Sequence, residues 1–167
     1  MIVNCDTLID ALRDEVQEYG GLLSLFNEQQ KAILDRKPDA VLAVQEAVAL
    51  QFGTIDQCRK RREKLTQEIA TELGRATEPP LPLRGLIESF AEAVRPLLYA
   101  LMDEVNNLIL RSRRRAQQNQ MLLARSIEVS QHLLQKLNPE AFTKTYSRRG
   151  RISLSGAAGA SRYLARS

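Results

Sequence analysis

The chain has 167 residues, which is enough for one compact domain and too few for two of ordinary size. Hydrophobic residues make up 44% of it and aromatic residues 5%, tryptophan is absent, and the prevalence of Leu, Ala, Glu, Gln, Lys and Arg favours long helices. Two cysteines are too few for a disulfide framework. The net charge of +4 is unevenly distributed: residues 1–58 carry 4 basic and 10 acidic side chains (−6), residues 59–137 carry 14 basic and 9 acidic (+5), and residues 138–167 carry 6 basic and 1 acidic (+5).

The first predicted helix runs from about Asp6 to Arg36, with Asp6 as its N-cap. Its apolar residues recur in steps of three, four and seven, the spacing of an amphipathic helix. They are Leu8, Leu12, Val16, Tyr19, Leu23, Phe26 and Ile33. Gly20 and Gly21 interrupt the helix, which indicates either a weak point or the close approach of a neighbouring helix.

The second predicted helix begins at Pro38 and stops at Gly74. Its stripe follows the same spacing: Val41, Val44, Val48, Ile55, Cys58, Leu65, Ile69 and Leu73. Because so few residues join it to the first helix, we expect the two to fold back as an antiparallel hairpin. Residues 75–82, with Pro79, Pro80 and Pro82, then predict an extended connection.

From Leu83 the helical spacing resumes, through Leu86, Phe90, Val94, Leu97, Leu101, Val105 and Leu108 to Leu123, Ile127, Leu134 and Leu137. Pro96 should kink or break it, so we predict a short helix over about 83–94 and a long one over about 96–137. The fold class is therefore all-α: an antiparallel long-helix bundle made of a helical hairpin, a short helix and a long, Pro-kinked C-terminal helix.

The last thirty residues differ from the rest in being rich in Arg, Ser, Gly and Ala, with almost no apolar periodicity. We predict a helical bundle domain over residues 1–137, a flexible basic tail over residues 138–167, and no β-sheet.

Helix lengths bear on function. At 1.5 Å per residue the second helix spans about 50 Å and the last about 60 Å, so the last turns should outrun the hairpin by roughly 10 Å. Those turns carry Leu133, Leu134 and Leu137, which we expect to be exposed, and exposed apolar patches usually mark binding sites.

With the last helix aligned along the second, two basic clusters, Arg59–Arg62 and Arg111–Arg115, fall near acidic residues of the first helix such as Asp14 and Glu15. We therefore expect ion pairs within the bundle in preference to a nucleic-acid surface, with a basic docking surface as a further alternative.

Catalysis is not indicated by any motif. The sole histidine, His132, has no Glu-x-x-His partner, no glycine-rich loop lies between a strand and a helix, and no nucleophile has an evident base. We expect no cofactor and no metal.

The N-terminus lacks a basic segment followed by an apolar run, and no apolar stretch reaches the ~20 residues that cross a bilayer, so we expect a cytoplasmic protein without membrane insertion.

Several stretches resemble the FlgN-type flagellar export chaperones. In the first helix they are Glu18-Tyr19, Leu22-Leu23 and Glu28-Gln29-Gln30-Lys31-Ala32-Ile33-Leu34, and in the second the arginine-rich stretch before Leu65. More telling is Asn119 followed by Leu122-Leu123-Ala124-Arg125-Ser126, then the segment with Tyr146 and Gly150 before the low-complexity tail. The order and spacing of these segments carry the resemblance, which covers nearly the whole chain.

The resemblance implies a chaperone that binds the C-terminal helical segments of flagellar hook-associated proteins and delivers them to the type III export apparatus. It implies client binding by the C-terminal amphipathic region. On this sequence the candidate partner-binding residues are Asn119, Leu122, Leu123, Ile127, Leu133, Leu134, Leu137 and Tyr146. The resemblance agrees with a monomer or small oligomer. Two alternatives stay open: a structural coiled-coil component of a secretion apparatus, and a basic helical hairpin that binds nucleic acid.

Overall fold

The computed structural model describes residues 5–137, 142–146 and 152–156. Its elements are α1 (Cys5–Leu34), α2 (Pro38–Glu72), α3 (Leu83–Leu86), a 3₁₀ turn (Ile87–Ser89), α4 (Arg95–Leu137), β1 (Phe142–Tyr146) and β2 (Ile152–Gly156). The chain forms two compact units, Met1–Gln120 and Met121–Ser167, so the boundary falls inside α4. The prediction of an all-α bundle is confirmed for the described residues before 138. The division of the chain into domains at residue 137 stays a prediction.

The predicted hairpin of α1 and α2 is present, and side-chain pairs fix its antiparallel direction. Arg62 of α2 donates to Glu15, Gln51 to Glu18, and Gln29 of α1 to Gln45, so residue numbers fall along one helix as they rise along the other. Gly74 ends α2 as predicted, with a φ of +65° that glycine adopts without a steric penalty. Asp6 lies in the first turn of α1, which already includes Cys5, and the N-cap position falls outside the described residues.

Gly21 marks a close approach between the helices of this hairpin. A Cβ built on Gly21 would lie 3.3 Å from Nε2 of Gln51, whereas a Cβ on Gly20 would meet nothing within 4 Å. The same Gln51 amide donates to the carbonyl oxygen of Glu18 at 2.9 Å. One of the two glycines thus makes room for a side chain of α2, as the sequence suggested.

The long C-terminal helix has nearly its predicted bounds, Arg95–Leu137 against about 96–137. Pro96 is its second residue and so begins the helix instead of kinking it, because the first-turn N–H groups of a helix have no acceptor within the helix and proline is tolerated there. The predicted helix over 83–94 is shorter, since Phe90 turns to an extended conformation. Arg95 stabilises this break by donating to the carbonyl oxygens of Glu88 and Phe90 at 2.8 and 3.0 Å.

Two apolar clusters form the core of the first unit, separated by a polar layer that contains Glu15 and Arg62. The larger one joins the beginnings of α1 and α4, the end of α2 and the α3 segment: Leu8, Ile9, Leu12, Ile69, Ala70, Leu83, Leu86, Ile87, Phe90 and Leu98. The smaller one, Leu22, Phe26, Val48 and Ile55, holds the hairpin together further along. Leu98 lies beside the first turns of α1 and Asn119 bonds to Phe26, so this part of α4 runs parallel to α1.

After α4, the described residues form a two-stranded antiparallel sheet in which Phe142 pairs with Gly156 and Tyr146 with Ile152. The prediction of a chain without β-sheet is therefore wrong at this point. Threonine recurs at every second position of β1 (Thr143, Thr145) and serine at every second position of β2 (Ser153, Ser155), a period of two that the search for helical spacing overlooked. Among the described helices, none is both long enough and apolar enough to span a bilayer.

Candidate functional site

The apolar spacing of α4 continues without interruption along its whole length. From Leu98 the buried positions Val105, Leu108, Ser112 and Asn119 follow in steps of seven, three, four and seven. Leu123, Ile127, Leu134 and Leu137 then extend the same face in steps of four, four, seven and three. One helix face thus begins as core and continues, in register, to the end of the helix.

Exposure changes abruptly along this face. Every buried residue of α4 lies at or before Asn119. Beyond it, Leu122 is half-buried and the other apolar residues on or beside the face are exposed, from 40% for Leu123 to 81% for Leu137. We name this group the terminal stripe: Leu122, Leu123, Ile127, Leu133, Leu134 and Leu137. The expectation that Leu133, Leu134 and Leu137 are exposed is confirmed.

Asn119, the first of the predicted site residues, belongs to the interior of the bundle. Its side chain is only 2% exposed, and its Nδ2 donates to the carbonyl oxygen of Phe26 at 2.8 Å and to Oε1 of Gln29 at 3.0 Å. Gln29 in turn donates to Gln45 of α2 at 2.8 Å. Asn119 therefore links all three long helices through a polar layer, and its amide is not presented to solvent.

Tyr146, the last predicted site residue, is the final residue of β1. Its backbone pairs with Ile152 of β2. Sequence reasoning placed it in a tail without regular structure, and the strand assigns it a fixed backbone register instead.

The first basic cluster is balanced within the hairpin, as predicted. Arg61 pairs with Asp14 at 2.8 Å on the surface, and Nε of Arg62 meets Oε1 of Glu15 at 2.5 Å in the interior. Glu15 is only 2% exposed. Burial raises the pKa of its carboxyl above the ordinary value, and the neighbouring Arg62 opposes that shift without cancelling it.

The second basic cluster behaves differently. Arg111, Arg113 and Arg114 are exposed and form no ion pair with any other described residue, while Arg115 donates to Gln30 of α1. The prediction of internal balance is therefore wrong for this cluster. Consecutive helical residues point in different directions, so only some members of the run can face α1.

Three exposed apolar residues of α2 were missed by sequence reasoning. Leu42 and Leu50 of α2 are 64% and 77% exposed, and Phe52 is also exposed. These residues lie off the predicted stripe of α2, and the signal that could have found them was the apolar content of its opposite face. Within the described residues, no three His, Cys, Asp or Glu side chains are grouped so as to hold a metal ion.

Comparison with known proteins places the chain in a family. Residues 1–153 match the family model described as FlgN protein, a span that contains α1 to α4, the terminal stripe and β1. No curated protein and no solved structure matches the chain.

Proposed function

Since the chain belongs to the FlgN family of flagellar export chaperones, we propose that it binds hook-associated proteins through the terminal stripe of α4. The clients would be held by their C-terminal amphipathic helices, kept from assembling early in the cytoplasm, and delivered to components of the type III export apparatus. The chaperone would act as a monomer or small oligomer, without a cofactor.

The observation that carries this proposal is the exposure of an apolar face that is buried earlier in the same helix. The terminal stripe belongs to the unit Met121–Ser167 and leaves leucine and isoleucine side chains in contact with solvent. A face of this spacing accepts a second amphipathic helix, because apolar residues three, four and seven apart on both helices can interdigitate. A client helix that exposes such residues before assembly has the complementary surface.

The expected affinity suits an escort that releases its client. Burial of apolar surface contributes roughly 25 cal/mol per Å², so a few leucines on each side contribute several kcal/mol. Association costs of about 4–15 kcal/mol offset this gain, so the rest of the client contact has to contribute as well. We expect micromolar to nanomolar dissociation constants, which allow both capture and transfer.

Asn119 is left out of the proposed contact surface, because its amide already bonds to α1. Tyr146 is kept in it on the family resemblance alone. The terminal stripe itself makes the sharper test.

The test is the double substitution of Leu134 and Leu137 by Ser, with binding to a purified hook-associated protein measured by calorimetry. We expect at least a tenfold loss of affinity, since two apolar contacts become polar, and an unchanged thermal melt, since exposed sites rarely shift stability by more than ~0.5 kcal/mol. The matched control is Leu42 and Leu50 replaced by Ser, which removes two leucines of comparable exposure from α2.

Two results would contradict the proposal. Full-strength binding by the stripe variant places the client elsewhere, for example on the acidic first helix. An equal loss in the α2 control indicates a general dependence on surface apolarity instead of a defined site.

A further inference from the structure

A cleft of about 290 Å³ opens in the unit Met1–Gln120, among residues of α1, α2, α3 and α4. Six polar side chains line it, and we name it the arginine cleft: Glu15, Tyr19, Arg59, Arg62, Asn106 and Arg113. The buried residues Leu12 and Val105 form part of its apolar lining. The terminal stripe contributes no residue to it, so the cleft is separate from the proposed client surface.

The three arginines of the cleft differ in how their charge is balanced. Arg62 meets the buried carboxylate of Glu15 at 2.5 Å, and Arg59 meets Asp56 of its own helix at 2.9 Å. Arg113 is exposed and has neither an ion pair nor a hydrogen bond to any other described residue. The lining of the cleft therefore includes three cations and one anion, with one guanidinium left to bind an incoming acceptor.

Tyr19 adds a second available donor. Its hydroxyl makes no hydrogen bond to any other described residue, although its ring is half-buried between the helices. Arg59, Arg62 and Arg113 line the same cleft as this hydroxyl-bearing side chain. An anion in the cleft would meet several donors at once.

The size and lining of the cleft restrict its ligand. Pockets for drug-sized molecules measure about 300–1,000 Å³, so this cleft lies at the small end of that range and fits a short peptide segment. The apolar part of its wall favours a ligand that carries hydrocarbon beside its charge, since a bare hydrated ion gains nothing from Leu12 or Val105.

We propose that the arginine cleft binds an acidic side chain flanked by an apolar one on a partner polypeptide. The carboxylate is held by Arg113 with Tyr19, and the neighbouring apolar side chain covers the hydrocarbon wall. Arginine is the residue type best suited to bind a carboxylate through two parallel hydrogen bonds, and Arg113 has no internal partner among the described residues. This contact is a second site on the chain, and its variants leave the terminal stripe unchanged.

The experiment uses the full chain, labelled with ¹⁵N, and the capped peptide acetyl-Leu-Glu-Leu-amide as probe. Amide shifts are followed in the wild type, in Arg113→Gln and in the matched control Arg114→Gln. Arg114 neighbours Arg113, is also exposed and unpaired among the described residues, and does not line the cleft. In the wild type we expect saturable shifts that include the amide of Tyr19. Arg113→Gln should bind the peptide about tenfold more weakly, because it loses a hydrogen bond to a charged group. Arg114→Gln should bind as tightly as the wild type.

Two further probes define the ligand. Acetyl-Leu-Gln-Leu-amide should bind about tenfold more weakly than the glutamate peptide, because it lacks the carboxylate. Acetate should bind more weakly than the glutamate peptide, because it lacks the apolar neighbour. The proposal is overturned if the glutamate peptide produces no shifts at Tyr19, if Arg114→Gln loses as much affinity as Arg113→Gln, or if acetate binds as tightly as the peptide.

Discussion

The two ends of α4 carry the same kind of residue at the same spacing and are used in opposite ways. Between Leu98 and Asn119 the apolar face packs into the bundle, and Leu98 is 0% exposed. Between Leu123 and Leu137 the face continues in register and every apolar member is at least 40% exposed. The difference lies in what each segment meets and not in what it is made of.

This comparison teaches that amphipathicity alone does not distinguish a core from a binding surface. Burial of a leucine stabilises the fold by roughly 1.5–3 kcal/mol wherever a partner exists. The first segment finds that partner within the chain and so contributes to folding. The second leaves the same kind of side chain exposed, and under the proposed function that free energy contributes to client binding instead.

The largest effect expected from this comparison is at Leu98. Replacement of Leu98 by Ala should lower the free energy of unfolding by about 2–5 kcal/mol, because it leaves a cavity among Leu8, Leu86 and the other residues of the larger core cluster. Urea denaturation followed by circular dichroism measures the change. The matched control is Leu97→Ala, one residue away and 39% exposed, which should cost far less. Equal losses at the two positions would show that α4 is not packed through this face.

Sequence reasoning succeeded where the signal was local and periodic. The stripes of α1, α2 and α4 follow from spacing alone, and so does the exposed end of α4, since lengths of helices can be counted. The stop at Gly74 also follows from one residue type with a known backbone preference.

Sequence reasoning failed where the outcome depends on which residues meet across helices. Arg61 and Arg113 belong to equally basic runs, yet only Arg61 has a carboxylate opposite it, because the rotation of each helix decides which side chains face inward. The hydrogen bonds of Asn119 to Phe26 and Gln29 were not foreseen either, because spacing along one helix names no partner on another. The hairpin at Phe142–Gly156 was missed since five-residue strands give a weak pattern beside long helices.

A smaller effect, visible as a dependence on pH, is expected at Glu15 in the packed part of the bundle. Because the pKa of Glu15 is raised above its ordinary 4.5, the folded chain holds a proton that the unfolded chain has lost over the range just above that value. Its contribution to stability is therefore greatest below pH 4.5 and falls as pH rises through the raised pKa. Glu15→Gln removes this dependence, so the stability of the variant relative to wild type should increase from pH 4 to pH 7.

Urea unfolding at a series of pH values measures this difference. The control is Glu104→Gln, which removes a carboxylate from the exposed face of α4. The free energy of unfolding of Glu15→Gln minus that of the wild type should rise with pH. If this difference stays constant or falls, the desolvation of the Glu15 carboxyl does not outweigh its pairing with Arg62.

The smallest effect on stability is expected in the terminal stripe, and it tests the comparison most directly. Ile127 lies on the same helix face as Leu98 but is 50% exposed. Its replacement by Ala should change the free energy of unfolding by no more than ~0.5 kcal/mol, since the side chain leaves no cavity in a packed interior. The same substitution should weaken binding of a hook-associated protein, because Ile127 lies mid-stripe between Leu123 and Leu134. A cost above about 2 kcal/mol, the range of buried large-to-small changes, would mean that this segment is part of a core and that the two ends of α4 do not differ in use.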